Sequence, residues 1–207
     1  MPNANIPTSI MQAPVSIGAS LTNQVLSSKE GRITAGGSKY LRLDALVGKV
    51  TVAAAVTLGF QHSSGYNIWS TTKTVAVTAS TNTSVTAVAA TNILTATSHG
   101  FTQGAPIVFT VGTLLPAPLV PNQVYYADVI DANTFYVRTA QGSRVDITAA
   151  GTGSNTVTAC RVFSLTFMPE VAGDQAYIPL KSSGRAVATT GAGDALQVLD
   201  ILLLVEE

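Results

Sequence analysis

Along much of this chain apolar and polar side chains alternate one by one. From Tyr40 to Leu46 the residues Tyr40, Arg42 and Asp44 alternate with Leu41, Leu43 and Ala45, and after Arg161 the residues Val162, Ser164 and Thr166 alternate with Phe163, Leu165 and Phe167. A period of two puts successive side chains on opposite faces of a strand, so each stretch predicts a half-buried β-strand. Between Ile93 and Thr148 short runs rich in Val, Ile, Thr, Tyr and Phe are separated by Gly, Pro, Asn and Asp, the pattern of short strands joined by tight turns. Nothing there has helical spacing. Gly100 and Gly104 bracket a turn that can carry positive φ, and Asp131-Ala132-Asn133 supplies side chains that bond their own backbone in a turn.

The flanks share this habit. Val50 to Gln61 predicts a strand broken near Gly59, and LGFQHSSGYNIWS predicts a hairpin turning at Ser63-Ser64-Gly65, with Trp69 covering one end of a core. At the C-terminus Ile201, Leu203 and Val205 share one face and Leu202 and Leu204 the other. Gly191 and Gly193 isolate a stretch too short for a stable helix, so a final strand buried on both sides is expected, with Leu202 and Leu204 facing another subunit or the inserted part. Neither flank supplies enough strands for a sandwich. Together they supply about eight, which suits a jelly roll or related double sheet. The chain thus divides into an N-terminal arm, residues 1–23, an interrupted sandwich, residues 24–83 and 159–207, and an inserted domain, residues 84–158. The insert joins through Ser80 to Ser84 and Gly151 to Thr156, rich in Thr, Ser, Asn and Gly.

The arm carries three prolines, which remove backbone donors and resist helix, so it is expected to be extended. Its residues Ile6, Ile10, Met11, Val15 and Ile17 become anchors if laid on a neighbouring subunit. The alternative is a plain disordered terminus.

Composition sharpens the picture through what is missing. Charged residues make up 11% of the 207, against roughly 25% in ordinary soluble domains, and none occurs from Thr74 to Ala127. Such a surface suits a protein held within a large assembly, with a merely Thr-rich β surface as the alternative. Formal net charge is zero, so no global field draws in nucleic acid or an anionic membrane. The longest apolar run, Ile201 to Val205, is too short to span a bilayer, and the first Lys or Arg is Lys29, which argues against a secretory signal. The single Cys160 permits no internal disulfide.

Catalytic chemistry finds little to work with. The two histidines, His62 and His99, both fall in predicted turns, no Gly-x-Ser-x-Gly elbow exists, and neither His has the neighbouring His or Cys that zinc requires. Asp128 and Asp131 form a conceivable acid pair, but Asp128 lies in strand period and Asp131 opens a turn. GAGD at Gly191 to Asp194 lacks the spacing of a phosphate loop and reads as a hairpin turn. Tyr125, Tyr126, Phe135 and Tyr136 have the spacing of a small domain's core, with sugar or base stacking as the competing use. The sequence therefore predicts no enzyme, no catalytic residue, no metal and no cofactor.

Three motifs carry a resemblance. Ala96 to Gly104, Tyr125-Tyr126 and Asn133 to Val137 resemble a small β-barrel module of bacteriophage virion proteins, related by name to the first catalytic-cysteine half-domain of ubiquitin-activating enzymes. The segment QHSSGYNIWS is similar to a Q-x-S-x-D-G-x-x-W hairpin of phage head and virion β-sandwich proteins, with Tyr66 and Asn67 in place of the small turn residues. GRAVATTGAGDALQVLDILLLV resembles the closing hairpin of the same proteins. The resemblance implies an all-β fold, a jelly-roll-like β-sandwich interrupted by a small β-barrel. It also implies a capsid decoration (cement) protein of a tailed bacteriophage, on the outer capsid surface. Its partners would be the major capsid protein and itself, as a homo-oligomer, a trimer before a dimer. The expected interface residues are Ile6, Ile10, Met11, Val15, Ile17, Leu202 and Leu204. The alternative is a tail or head-fibre adhesion component that binds a host receptor or glycan through exposed Tyr125 or Tyr136.

Overall fold

The computed structural model describes residues 8–9, 15–26, 31–32, 40–63, 70–167 and 183–206. Every regular element among them is a β-strand, so the all-β expectation holds. The chain forms two compact units: a frame made of Met1–Thr78 and Val162–Glu207, and an insert, Ala79–Arg161.

The frame begins with β1 (Thr8–Ser9), β2 (Val15–Ile17), β3 (Leu21–Val25) and β4 (Gly31–Arg32). It continues through β5 (Tyr40–Thr51), β6 (Val56–Ser63) and β7 (Ser70–Ala76). After the insert come β15 (Arg161–Phe167), β16 (Ser183–Thr190) and β17 (Ala195–Glu206). One sheet has the order β1-β17-β5-β15 with β2 also on β17, and the other β3-β16-β6-β7 with β4 also on β16. Take the eight principal strands in chain order, β2, β3, β5, β6, β7, β15, β16 and β17. One sheet then reads first, eighth, third, sixth and the other second, seventh, fourth, fifth. That is the winding of a jelly roll, opened between its fifth and sixth strands.

Alternation builds the frame's core. Leu43, Ala45, Val47, Leu196, Val198 and Ile201 from one sheet join Val56, Leu58, Phe60, Ala186 and Ala188 from the other in one buried cluster. Each large apolar side chain so buried contributes ~1.5–3 kcal/mol. The break expected near Gly59 lies instead at Val52–Ala55. Gly59 is buried within the ladder, opposite Val187 and Thr74. The cause is remote: the Asp194 carboxylate accepts from the backbone N–H groups of Ala53, Ala54 (2.9 Å), Ala55 (3.0 Å) and Gly191 (2.7 Å), tying this bend to the turn before β17. His62, expected in a turn, lies in β6 opposite Gly184 and Ser70. Ser64, Gly65 and Trp69 of the expected hairpin lie outside the described residues.

Where described, the N-terminal stretch consists of strands of the frame, with a bend at Ala19–Ser20, where Ser20 has φ +59°, before β3 joins the second sheet. Thr8 and Ser9 pair with Leu203 and Leu202, while Val15 and Ile17 pair with Val198 and Leu196.

The insert contains β8 (Asn82–Ser84), β9 (Thr86–Val88), β10 (Ile93–Thr95) and β11 (Pro106–Thr110), followed by β12 (Tyr125–Val129), β13 (Thr134–Arg138) and β14 (Thr156–Ala159). They form one antiparallel sheet in the order β8-β14-β11-β12-β13-β10-β9. The expected barrel is not closed by hydrogen bonds: β8 and β9 end the sheet without pairing to each other. They are successive halves of one bent stretch, joined at Val85, and consecutive residues cannot lie side by side in a ladder. Val85 N–H donates instead to the Asn155 carbonyl at 3.0 Å. Inside the curl Leu94, Ile107, Phe109, Ala127, Phe135, Val137, Ile147 and Val157 are buried together.

Candidate functional site

The groups weighed for catalysis and set aside in the sequence have the following surroundings. Cys160 is buried, and burial pushes its thiol up to about 12, so the thiolate nucleophile does not form near neutrality. Asp128 accepts from Gln103 Nε2 at 2.8 Å, Arg138 Nη2 at 2.7 Å and Arg144 Nη2 at 3.2 Å. The Gln103 bond first, then the two arginines, hold its carboxyl below the usual range. Asp131 Oδ1 accepts from the N–H groups of Asn133 (2.7 Å) and Thr134 (2.8 Å), and these bonds likewise lower its carboxyl. A glycosidase acid needs a raised pKa to stay protonated, and both of these carboxyls are shifted the other way. Asp194 is lowered by its four backbone donors, Ala54 foremost. No group of three or more His, Cys, Asp and Glu side chains suited to a metal ion occurs among the described residues.

The aromatic set is likewise engaged. Tyr125 is 3% exposed, and its hydroxyl accepts from Val120 N–H at 3.0 Å, while Phe135 is fully buried. Tyr136 is half-buried beneath the Arg144 guanidinium, 3.6 Å from the ring centre. Of the two tyrosines that an adhesive surface would use, Tyr125 is buried and Tyr136 is half-buried.

Two other features of the insert face solvent. The first is an apolar surface on the loop 111–121, where Val111 and Leu114 are 43% and 59% exposed around a shallow depression lined also by Leu115, Ala117, Pro118, Leu119 and Pro121; Val120, 49% exposed, lies on the same loop. The loop is braced. Leu114 and Thr152 exchange backbone bonds at 3.0 and 2.8 Å, and Ala117 N–H donates to Ala149 O at 3.0 Å. Buried Asn155 accepts from Gly112 N–H at 2.8 Å and donates to the carbonyls of Leu114 (2.9 Å) and Thr152 (3.3 Å). Gly151, at φ +74°, lets the two segments meet, since a Cβ there would lie 2.5 Å from Leu114 O. The apolar surface thus has a fixed shape, and it falls within the charge-free run.

The second feature is a concavity of about 480 Å³ where the 98–101 turn meets the 129–132 turn, lined by Ser98, His99, Gly100, Phe101, Val129, Asp131 and Ala132. Its geometry follows from local chemistry. Ser98 and Gly100 adopt positive φ, Ser98 N–H donates to Asn133 Oδ1 at 2.9 Å, and His99 N–H donates to Ala132 O at 3.2 Å. The His99 ring stacks on Phe101 with centres 4.6 Å apart and meets Phe135 edge-on at 5.4 Å. His99 is a turn residue, as expected, and also a wall of this concavity.

Of the expected interface residues, Ile6, Ile10 and Met11 lie outside the described residues. Val15 lies in β2, and Ile17 is 3% exposed, in the core of its own unit. Leu202 is half-buried in register with Asp44, and Leu204 pairs with Arg42. Leu202 lies on the sheet face of the Arg42–Asp44 ion pair (2.7 Å) and of Ser164, whose hydroxyl donates to Asp44. Sequence reasoning passed over Val111, Leu114 and Val120, although the Pro-rich segment LLPAPLVP inside an uncharged run was the available signal. Asn155 and Asp194 had no local signal at all. Comparison of the chain with models of known protein families, with curated proteins and with solved structures gives no match.

Proposed function

We propose that this chain is a capsid decoration (cement) protein of a tailed bacteriophage, binding the outer capsid surface across neighbouring major capsid protein subunits. The observation that carries this reading is the braced, uncharged surface around Val111, Leu114 and Pro118. A rigid apolar patch offers a protein partner buried area at little cost in ordering. The jelly-roll frame supports the reading as a double sheet that recurs in viral capsid and lectin domains. Copies arranged as a trimer would each contribute a modest contact, and their sum would hold the shell through multivalency.

The test is to image purified virions by cryo-electron microscopy, count this chain against the major capsid protein, and repeat with Leu114→Asp. Regular copies over the shell, lost in the variant while the soluble protein keeps its fold, are the expected result. A few copies confined to the tail or one vertex would overturn the decoration reading in favour of adhesion, for which the His99 concavity is the specific feature.

A further inference from the structure

The geometry points to the concavity beside His99 as a binding subsite for a neutral, hydroxyl-bearing ligand of the saccharide class. His99 Nδ1 accepts from Phe101 N–H at 2.9 Å, so in the neutral ring the proton must sit on Nε2. His99 is only 9% exposed, and its Nε2 has no hydrogen-bond partner in the structure. A buried donor left without an acceptor is costly and uncommon in native proteins, so it calls for an occupant or a function.

The surroundings narrow the class of that occupant. Asp131, on the wall of the same concavity, is exposed and ionised, its Oδ1 already shared by two backbone N–H groups. A ligand carboxylate would be repelled by Asp131, and an ammonium would offer no acceptor to Nε2–H. A hydroxyl does both jobs: its oxygen accepts from His99 and its hydrogen goes to the Asp131 carboxylate. Phe101, Val129 and Gly100 give the apolar side that the C–H face of a sugar ring covers. Nε2 is itself covered in the free chain, so binding requires the exposed Ser98–Gly100 turn to shift. This inference is independent of where on the virion the chain resides.

The experiment uses the full chain labelled with ¹⁵N-histidine, with the two imidazoles assigned through His62→Gln. Methyl glucoside, methyl galactoside, N-acetylglucosamine and a bacterial surface polysaccharide are each titrated while the His99 Nε2 resonance is followed. Asp131→Asn keeps an oxygen for the turn and removes the charge, and it should weaken binding about ten-fold or more. His99→Phe, which lacks the reporting imidazole and is read by isothermal calorimetry instead, should abolish binding, and Asp146→Asn, an exposed carboxylate outside the concavity, should leave it unchanged. A response to the simple glycosides places recognition in one ring. A response to the polymer alone, with the same dependence on Asp131, places it in an extended glycan. No response to any of the four, or a response unchanged in Asp131→Asn, overturns the proposal.

Discussion

Replacing Asn155 with alanine should loosen the insert without touching the frame. The side chain is 3% exposed and makes three hydrogen bonds, to Gly112, Leu114 and Thr152. At about 0.5–1.5 kcal/mol each, their loss amounts to about 1.5–4.5 kcal/mol. That corresponds to a roughly ten- to two-thousand-fold rise in the open population. Hydrogen exchange read by mass spectrometry measures it directly on peptides of the insert, with frame peptides as the internal reference. Asn155→Asp makes the reasoning sharper. It keeps the oxygen facing Gly112 N–H but turns a second oxygen toward two carbonyls. Burial and those carbonyls raise the folded-state pKa above the unfolded ~3.9. A raised folded value contributes stability that is present below the unfolded pKa and lost as pH rises through the folded one. The aspartate variant should therefore be less protected than the alanine variant at neutral pH and overtake it on acidification. Insert peptides of Asn155→Ala exchanging within about three-fold of the parent, or an aspartate variant indifferent to pH, would refute this account.

Asp194 gives the opposite pH sign. Its folded-state carboxyl is lowered by the backbone donors it caps, so its contribution is present above the unfolded ~3.9 and lost as pH falls through the folded value. Urea midpoints for the frame should drop on acidification, and Asp194→Asn should flatten that dependence while lowering the midpoint at neutral pH; an unchanged acid slope would contradict it. Cys160, with its thiol pushed up to about 12 by burial, should react with iodoacetamide at pH 8 far more slowly in the native chain than in urea, and equal rates would show it to be accessible.

The legible part of this fold is what local period can encode. The alternation after Arg161 gives β15, with Val162 exposed and Leu165 buried, and the isolated C-terminal run gives β17 rather than a helix. The turn at Asp131 and the positive φ of Gly100 and Gly104 were also readable, because each is fixed by the chemistry of its own few residues. What escaped depends on partners far along the chain. Asp194 bends Ala53 to Ala55 from about 140 residues away, and nothing near Gly59 reveals that the strand breaks earlier. The barrel expectation failed for a related reason. Periodicity counts strands but does not say that Val85 makes one stretch serve both ends of a sheet. At the candidate sites, the role of His99 in its turn was local and readable. The concavity arises only when two turns about thirty residues apart meet, and Ile17 turned out to face its own core.

The way the insert's first and last strands meet has a mechanical consequence. Asn82 pairs with Thr158 and Ser84 with Thr156, and the Thr158 hydroxyl donates to Asn82 Oδ1 at 2.6 Å. The two chain ends that connect the insert to the frame therefore leave from the same end of one antiparallel pair. Tension applied through those connections loads the rungs one after another, as in a zipper, instead of sharing the load across them as in shear. Once the rung at Ser84 parts, the pull arrives at Val85 and then at β9, so the stretch that leaves β14 goes on to leave β10. Under such tension the β8–β14 pair opens rung by rung from a single point.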